Sequence, residues 1–126
     1  MRYIVLIYSQ TPALDLAERD YTGHWALMDE AREKGVLVAA EPLPPVGTAK
    51  SLRLGHGKMV ITDGPFAETR EQLAGFYILD CNTEAEALGW AGRISGACDN
   101  VAGVEVRAMP GVPARQAAEA ITARAD

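Results

Sequence analysis

The sequence predicts a mixed α+β domain, a ferredoxin-like plait of two helices and four core strands that carries an added β-hairpin. Three observations predict it. The elements follow one another as strand, helix, strand, hairpin, strand, helix, strand. Only two segments carry a sustained helical period. The strands at residues 2–8 and 76–79 are apolar on both faces, the pattern of a strand covered on two sides.

In the first strand Tyr3, Val5 and Ile7 point one way, and Ile4, Leu6 and Tyr8 the other. Thr11-Pro12 resembles a helix start, an N-cap followed by proline at the first helical position. A helix is therefore expected from about Leu14 to Lys34, with Tyr21, His24, Trp25, Leu27, Met28 and Ala31 at helical spacing. Gly23 weakens its first half and makes a start near Tyr21 the alternative. Arg32 and Lys34 suit the negative end of the helix dipole, and Gly35 stops it.

Val36 to Ala40 forms a short apolar strand that runs into Glu41-Pro42-Leu43-Pro44-Pro45, where proline forces an extended path. Residues 51–54 and 58–62 flank Gly55-His56-Gly57 as a hairpin, and Asp63-Gly64-Pro65-Phe66 closes it in a turn. Gly75 to Asp80 is a second doubly apolar strand. Thr83-Glu84-Ala85-Glu86 matches a capping box and opens a helix with Ala87, Trp90, Ala91 and Ile94 on one face. Val104-Glu105-Val106-Arg107 alternates as a last, half-exposed strand. Residues 111–126 form an Ala-rich tail of helical composition without a strong apolar stripe.

Two helices cover one face of such a sheet. Leaving the second face in water would expose several large apolar side chains, at about 1.5–3 kcal/mol each. A second copy packed sheet against sheet removes that cost, so a homodimer is expected.

At 126 residues the chain holds one domain. Its 17 acidic and 12 basic residues give a net charge of −5, with no Lys/Arg cluster, which argues against nucleic acid as a partner. The opening apolar run is too short to span a bilayer, so no membrane association and a cytoplasmic location are expected, with Cys81 and Cys98 as reduced thiols. His56 sits in an exposed turn without a ligand partner at metal-binding spacing, and no metal is expected. No Gly-rich phosphate loop or nucleophile elbow occurs, and no cofactor is expected.

The stretch Asp63-Gly64-Pro65-Phe66-Ala67-Glu68-Thr69-Arg70-Glu71-Gln72-Leu73-Ala74-Gly75-Phe76-Tyr77 resembles the signature of the YCII-related "DGPF" family. Arg2-Tyr3-Ile4-Val5-Leu6, Gly35-Val36-Leu37, Glu41-Pro42-Leu43, residues 85–91 and Val104-Glu105-Val106-Arg107 match as well, so the likeness covers about residues 1–110. It implies a dimeric ferredoxin-like α/β barrel. It also implies a His–Asp pair in a cleft, relatives that act as small-molecule lyases or dehydrochlorinases, and others that accompany extracytoplasmic-function sigma factors.

His24 and Asp63 are the candidate catalytic pair. A carboxylate on one imidazole nitrogen fixes the tautomer and leaves the other as a base, the arrangement of a proton-abstracting or eliminating enzyme. In the alternative, Asp63 caps its own turn and His24 is a core histidine. Arg70 is a candidate clamp for a substrate carboxylate. Phe66 is a candidate pocket wall, and Glu41 and Arg53 are candidate cleft residues. Tyr8 and Tyr77 are assigned to the dimer seam. Two functions stay open. One is a cofactor-independent lyase- or isomerase-type enzyme for a small anionic or aromatic molecule; the other is a non-catalytic ligand-binding or regulatory module that works with a sigma factor.

Overall fold

The computed structural model describes residues 1–115. Six strands and two helices follow the expected order: β1 (Arg2–Gln10), α1 (Thr22–Glu33), β2 (Leu37–Pro42), β3 (Lys50–Gly55), β4 (Lys58–Asp63), β5 (Glu71–Asp80), α2 (Glu84–Ala97) and β6 (Val101–Met109). Strands β2, β5, β1 and β6 form one antiparallel sheet in that order, while β3 and β4 form a separate two-stranded arm. This is the strand order of a ferredoxin-like plait with a hairpin inserted between its second and third strands.

Both helices lie on one face of the sheet. Tyr3, Val5 and Ile7 of β1 and Tyr77 and Leu79 of β5 bury against Leu27 and Ala31 of α1 and Ala87, Trp90, Ala91 and Ile94 of α2 in a single core. The register pairs Val5 with Tyr77 and Tyr3 with Leu79, so period-2 alternation sends both pairs to the covered side. On the other side Ile4 pairs with Ile78 and Leu6 with Phe76, and all four are only half-buried.

Local chemistry explains most boundaries. Thr83 accepts the Glu86 N–H at 3.1 Å, and the Glu86 carboxylate reaches back to the Asn82 N–H at 3.0 Å, a capping box displaced by one residue. Gly35 ends α1 at φ +71°. The arm turns through His56 and Gly57, both at positive φ (48° and 72°), the backbone twist that two-residue hairpins favour.

The long first helix is corrected. Thr11-Pro12 starts none: the Thr11 hydroxyl donates to the Arg70 carbonyl, and one short 3-10 turn, Leu16–Glu18, stands where helix was expected. Asp20 instead accepts the Thr22 N–H at 3.0 Å, and α1 begins there. Gly23 has a packing reason, since a Cβ there would lie 3.2 Å from the Ala97 Cβ at the end of α2. Trp25 is corrected too; it is 62% exposed, off the core face, and stacks on Tyr21. Of the expected helical tail, residues 116–126 lie outside the described residues.

Candidate active site

Where α1, β2, β5 and the α2–β6 connection converge, they leave a cavity of about 400 Å³. Its walls are largely aromatic and aliphatic: Tyr21, Trp25 and Met28 come from α1 and its approach, Phe76 and Tyr77 from β5, and Ile7 and Tyr8 from β1. Gly75 permits this convergence. A Cβ there would lie 3.0 Å from the Glu41 carbonyl oxygen and 3.3 Å from the Pro42 Cα, so only glycine lets β2 pass so close.

His24, in the first turn of α1, projects into this cavity half-buried. Its Nδ1 lies 2.6 Å from the Tyr77 hydroxyl, and Nε2 has no hydrogen-bond partner among the described residues. Burial lowers the His24 pKa from its usual 6.5, and the negative charge of Asp99 partly offsets that. The imidazole is therefore neutral at pH 7. Burial also pushes the Tyr77 hydroxyl far above its ordinary range, with Cys98 adding to the effect. The Cys98 thiol is itself raised to about 11, by burial first and Asp99 second, and donates to the Ile94 carbonyl at 3.1 Å; it is no thiolate nucleophile.

Arg19 pins the wall opposite. Its Nε donates to the Leu14 carbonyl at 3.0 Å, Nη1 to Ala74 at 2.9 Å and Nη2 to Leu43 at 2.8 Å. One guanidinium thus joins three chain segments around the cavity. Asp20, Glu41 and Asp99 also line it; Asp99 accepts the Asp20 N–H at 3.2 Å, and its bond to Thr22 lowers the Asp20 pKa.

The expected pair is not formed within the subunit. Asp63 ends β4 on the arm, 83% exposed, and its carboxylate takes Lys50, the residue directly opposite it in the β3–β4 register. Its backbone neighbour closes the turn instead: the Gly64 N–H donates to Ala49 at 2.7 Å, and the Gly64 carbonyl accepts from Ser51 at 2.6 Å. Of the expected substrate contacts only Glu41 shares the cavity with His24. The Arg53 guanidinium lies 4.9 Å over the Phe66 ring on the exposed arm. Arg70 lines a separate, shallower depression with Thr11 and Glu68.

Tyr77, expected at the dimer seam, is corrected: it is the hydrogen-bond partner of His24. It is 3% exposed on the helix-covered face, away from any seam on the open face, whereas Tyr8 lies on the open side and donates to Glu105 at 3.3 Å. The pairing of Tyr77 with Val5 carries that information, but which parity of β5 faces the helices is decided only by assembly. Sequence reasoning missed Arg19, Asp20 and Asp99. Asp20 alone left a signal, as an acidic residue just ahead of a helix.

A four-stranded antiparallel sheet with two helices on one face and a histidine in an aromatic cavity at its end defines a small α+β protein with a cavity beside its core. The chain belongs to the YCII-related domain family, whose profile matches residues 1–110. It is 34% identical, over 122 residues covering 86% of this chain and 92% of the relative, to R00369 of Rhizobium meliloti (strain 1021), described as an uncharacterized protein. Its fold is similar to that of 5-chloro-2-hydroxyhydroquinone dehydrochlorinase (TftG) from Burkholderia phenoliruptrix AC1100, solved in complex with 2,5-dihydroxybenzoquinone. The TM-score is 0.53 at 14% identity, covering 89% of this chain and 96% of that one. Among the described residues no helix is long and apolar enough to cross a membrane, and no group of three or more His, Cys, Asp or Glu is placed to hold a metal ion.

Proposed function

We propose that this protein binds a small aromatic molecule in the His24 cavity and moves a proton on it, as a lyase- or isomerase-type enzyme needing no cofactor. The observation that carries the reading is a half-buried imidazole, anchored through Nδ1 and facing an aromatic cavity of about 400 Å³, where burial favours its neutral form. The dehydrochlorinase of similar fold acts on a hydroxylated ring, which sets the first compounds to try. A panel of hydroxylated aromatics with and without a halogen, followed by absorbance, tests it. Turnover by the wild type should fall about 10²–10⁴-fold in His24→Gln. Equal rates in the two proteins, or no turnover of any compound, would end the enzyme reading.

The same proposal includes a homodimer. The half-exposed Ile4, Leu6, Phe76 and Ile78 on the open sheet face, and the exposed Leu52, Leu54, Met59 and Ile61 on one face of the arm, support a second copy as their cover. Asp63, opposite Lys50 on the same face of the arm, then belongs to that contact rather than to the subunit's own cavity.

A second reading, a non-catalytic ligand sensor acting on another protein such as a sigma factor, is favoured by one observation. The carboxylate expected to orient His24 is instead spent on Lys50. Ligand binding without turnover would select it.

A further inference from the structure

The His24–Tyr77 contact fixes more than a ring position. The Tyr77 hydroxyl is buried, and among the described residues Nδ1 of His24 is its one hydrogen-bond partner, at 2.6 Å. Cys98, the other polar group beside it, already donates to the Ile94 carbonyl. A hydroxyl proton sealed from water must find an acceptor, and Nδ1 is available as one only if it carries no hydrogen. The neutral ring then holds its proton on Nε2. That nitrogen has no protein partner among the described residues, and it is not sealed from solvent. It is open to the cavity that His24 lines.

We propose that Tyr77 is a positioning residue that locks His24 in the Nε2–H form, so that the cavity presents a ring N–H donor to the oxygen of an uncharged aromatic ligand. This inverts the role expected of a carboxylate partner, which would have left a free base facing the ligand. It rests on the reading of the cavity as the ligand site, names the ligand class for it, and makes His24 the donor that holds a ring oxygen in the proposed reaction, not its base. The charge around the site argues for an uncharged ligand. Asp20, Glu41 and Asp99 line the cavity, and each of the three nitrogens of Arg19 already donates to a backbone carbonyl. A carboxylate ligand would meet like charge with no uncommitted cation among the lining residues to oppose it. An acceptor oxygen on a flat ring, a carbonyl or a hydroxyl, fits the donor and the aromatic walls together.

The tautomer is read directly by long-range ¹H–¹⁵N correlation in the ¹⁵N-labelled protein above pH 7. His24 and His56 are the sequence's two histidines, and His56→Asn, in the exposed arm turn, assigns the spectrum. His24 should show an unprotonated Nδ1 and a protonated Nε2, and Tyr77→Phe should return the ring to a mixture of tautomers. Should Tyr77→Phe fail to fold, the wild-type spectrum alone decides. A protonated Nδ1 in the wild type, or an unchanged ring in folded Tyr77→Phe, would overturn the proposal. For the ligand class the probes are acetophenone and benzoate. Acetophenone should shift the Nε2–H signal and bind about tenfold more tightly than benzoate; equal or tighter benzoate binding would refute that part. Neither readout needs turnover, so failure of the enzyme reading leaves both standing and is seen separately.

Discussion

The two sides of this molecule are built from similar residues and do opposite things. On the helix-covered side, Val5, Leu79 and Ile94 are fully buried, and the cavity opens at the edge of that core. On the β3–β4 arm, Leu54, Met59, Ile61 and Phe66 are as apolar, yet all are more than half exposed. The arm also holds the sequence's most recognisable stretch, around Asp63-Gly64-Pro65-Phe66. The difference teaches that a legible motif and a chemical site need not coincide. The motif is compact because one tight turn needs its residues in a row. The cavity is dispersed because walls must come from several elements.

The comparison can be broken most forcefully by truncation. Leu79→Ala should remove about 2–5 kcal/mol of stability in denaturant titration, because a cavity opens in a packed core. Leu54→Lys on the arm should leave the melting temperature of the dilute subunit nearly unchanged while lowering its self-association in sedimentation velocity. A large loss of subunit stability from Leu54→Lys would erase the distinction.

Next in size is Gly75→Ala, which forces backbone against backbone where β5 passes Glu41 and Pro42. A loss of about 1–3 kcal/mol is expected, together with weakened ligand binding, since β2 forms a cavity wall. Chemical denaturation and a binding titration on the same variant check both.

A smaller effect comes from pH. Burial lowers the folded-state pKa of His24 below the 6.5 of the unfolded chain, so the unfolded state takes up a proton first as pH falls. The stability held by the neutral ring is complete above about 6.5 and declines as pH drops from there toward the folded value. Melting temperatures between pH 8 and 5 should show this decline in the wild type and less of it in His24→Gln.

The smallest effect sharpens the comparison best. Asp99 is the charge that raises the His24 pKa, so Asp99→Asn should move its NMR titration midpoint down, while Asp63→Asn should leave it in place. A shift with Asp63→Asn would mean that the arm of one copy reaches the cavity of another.

Much of the fold was legible because local signals set it. The alternation in β1 and β5, the Gly35 stop, the capping box at Thr83 and the Gly55-His56-Gly57 turn each act over a few residues. Thr11-Pro12 misled because a proline after threonine resembles a helix start whether or not an apolar period follows it. The Asp63–Lys50 pair could have been found by counting outward from the turn, since Gly55 faces Lys58 and the register then carries Lys50 to Asp63. The His24–Tyr77 bond could not. It joins residues 53 apart on different elements, and no local pattern says which face of β5 the helix will cover.

Arg19 gives the cavity one mechanical property that its walls lack separately. With a nitrogen on each of Leu14, Leu43 and Ala74, it couples a loop, a proline-rich crossing and a strand into one hinge-free joint. Those three stretches must breathe in unison or break a charge-assisted bond. A ligand that displaced one stretch would have to move the others with it or break one of these bonds.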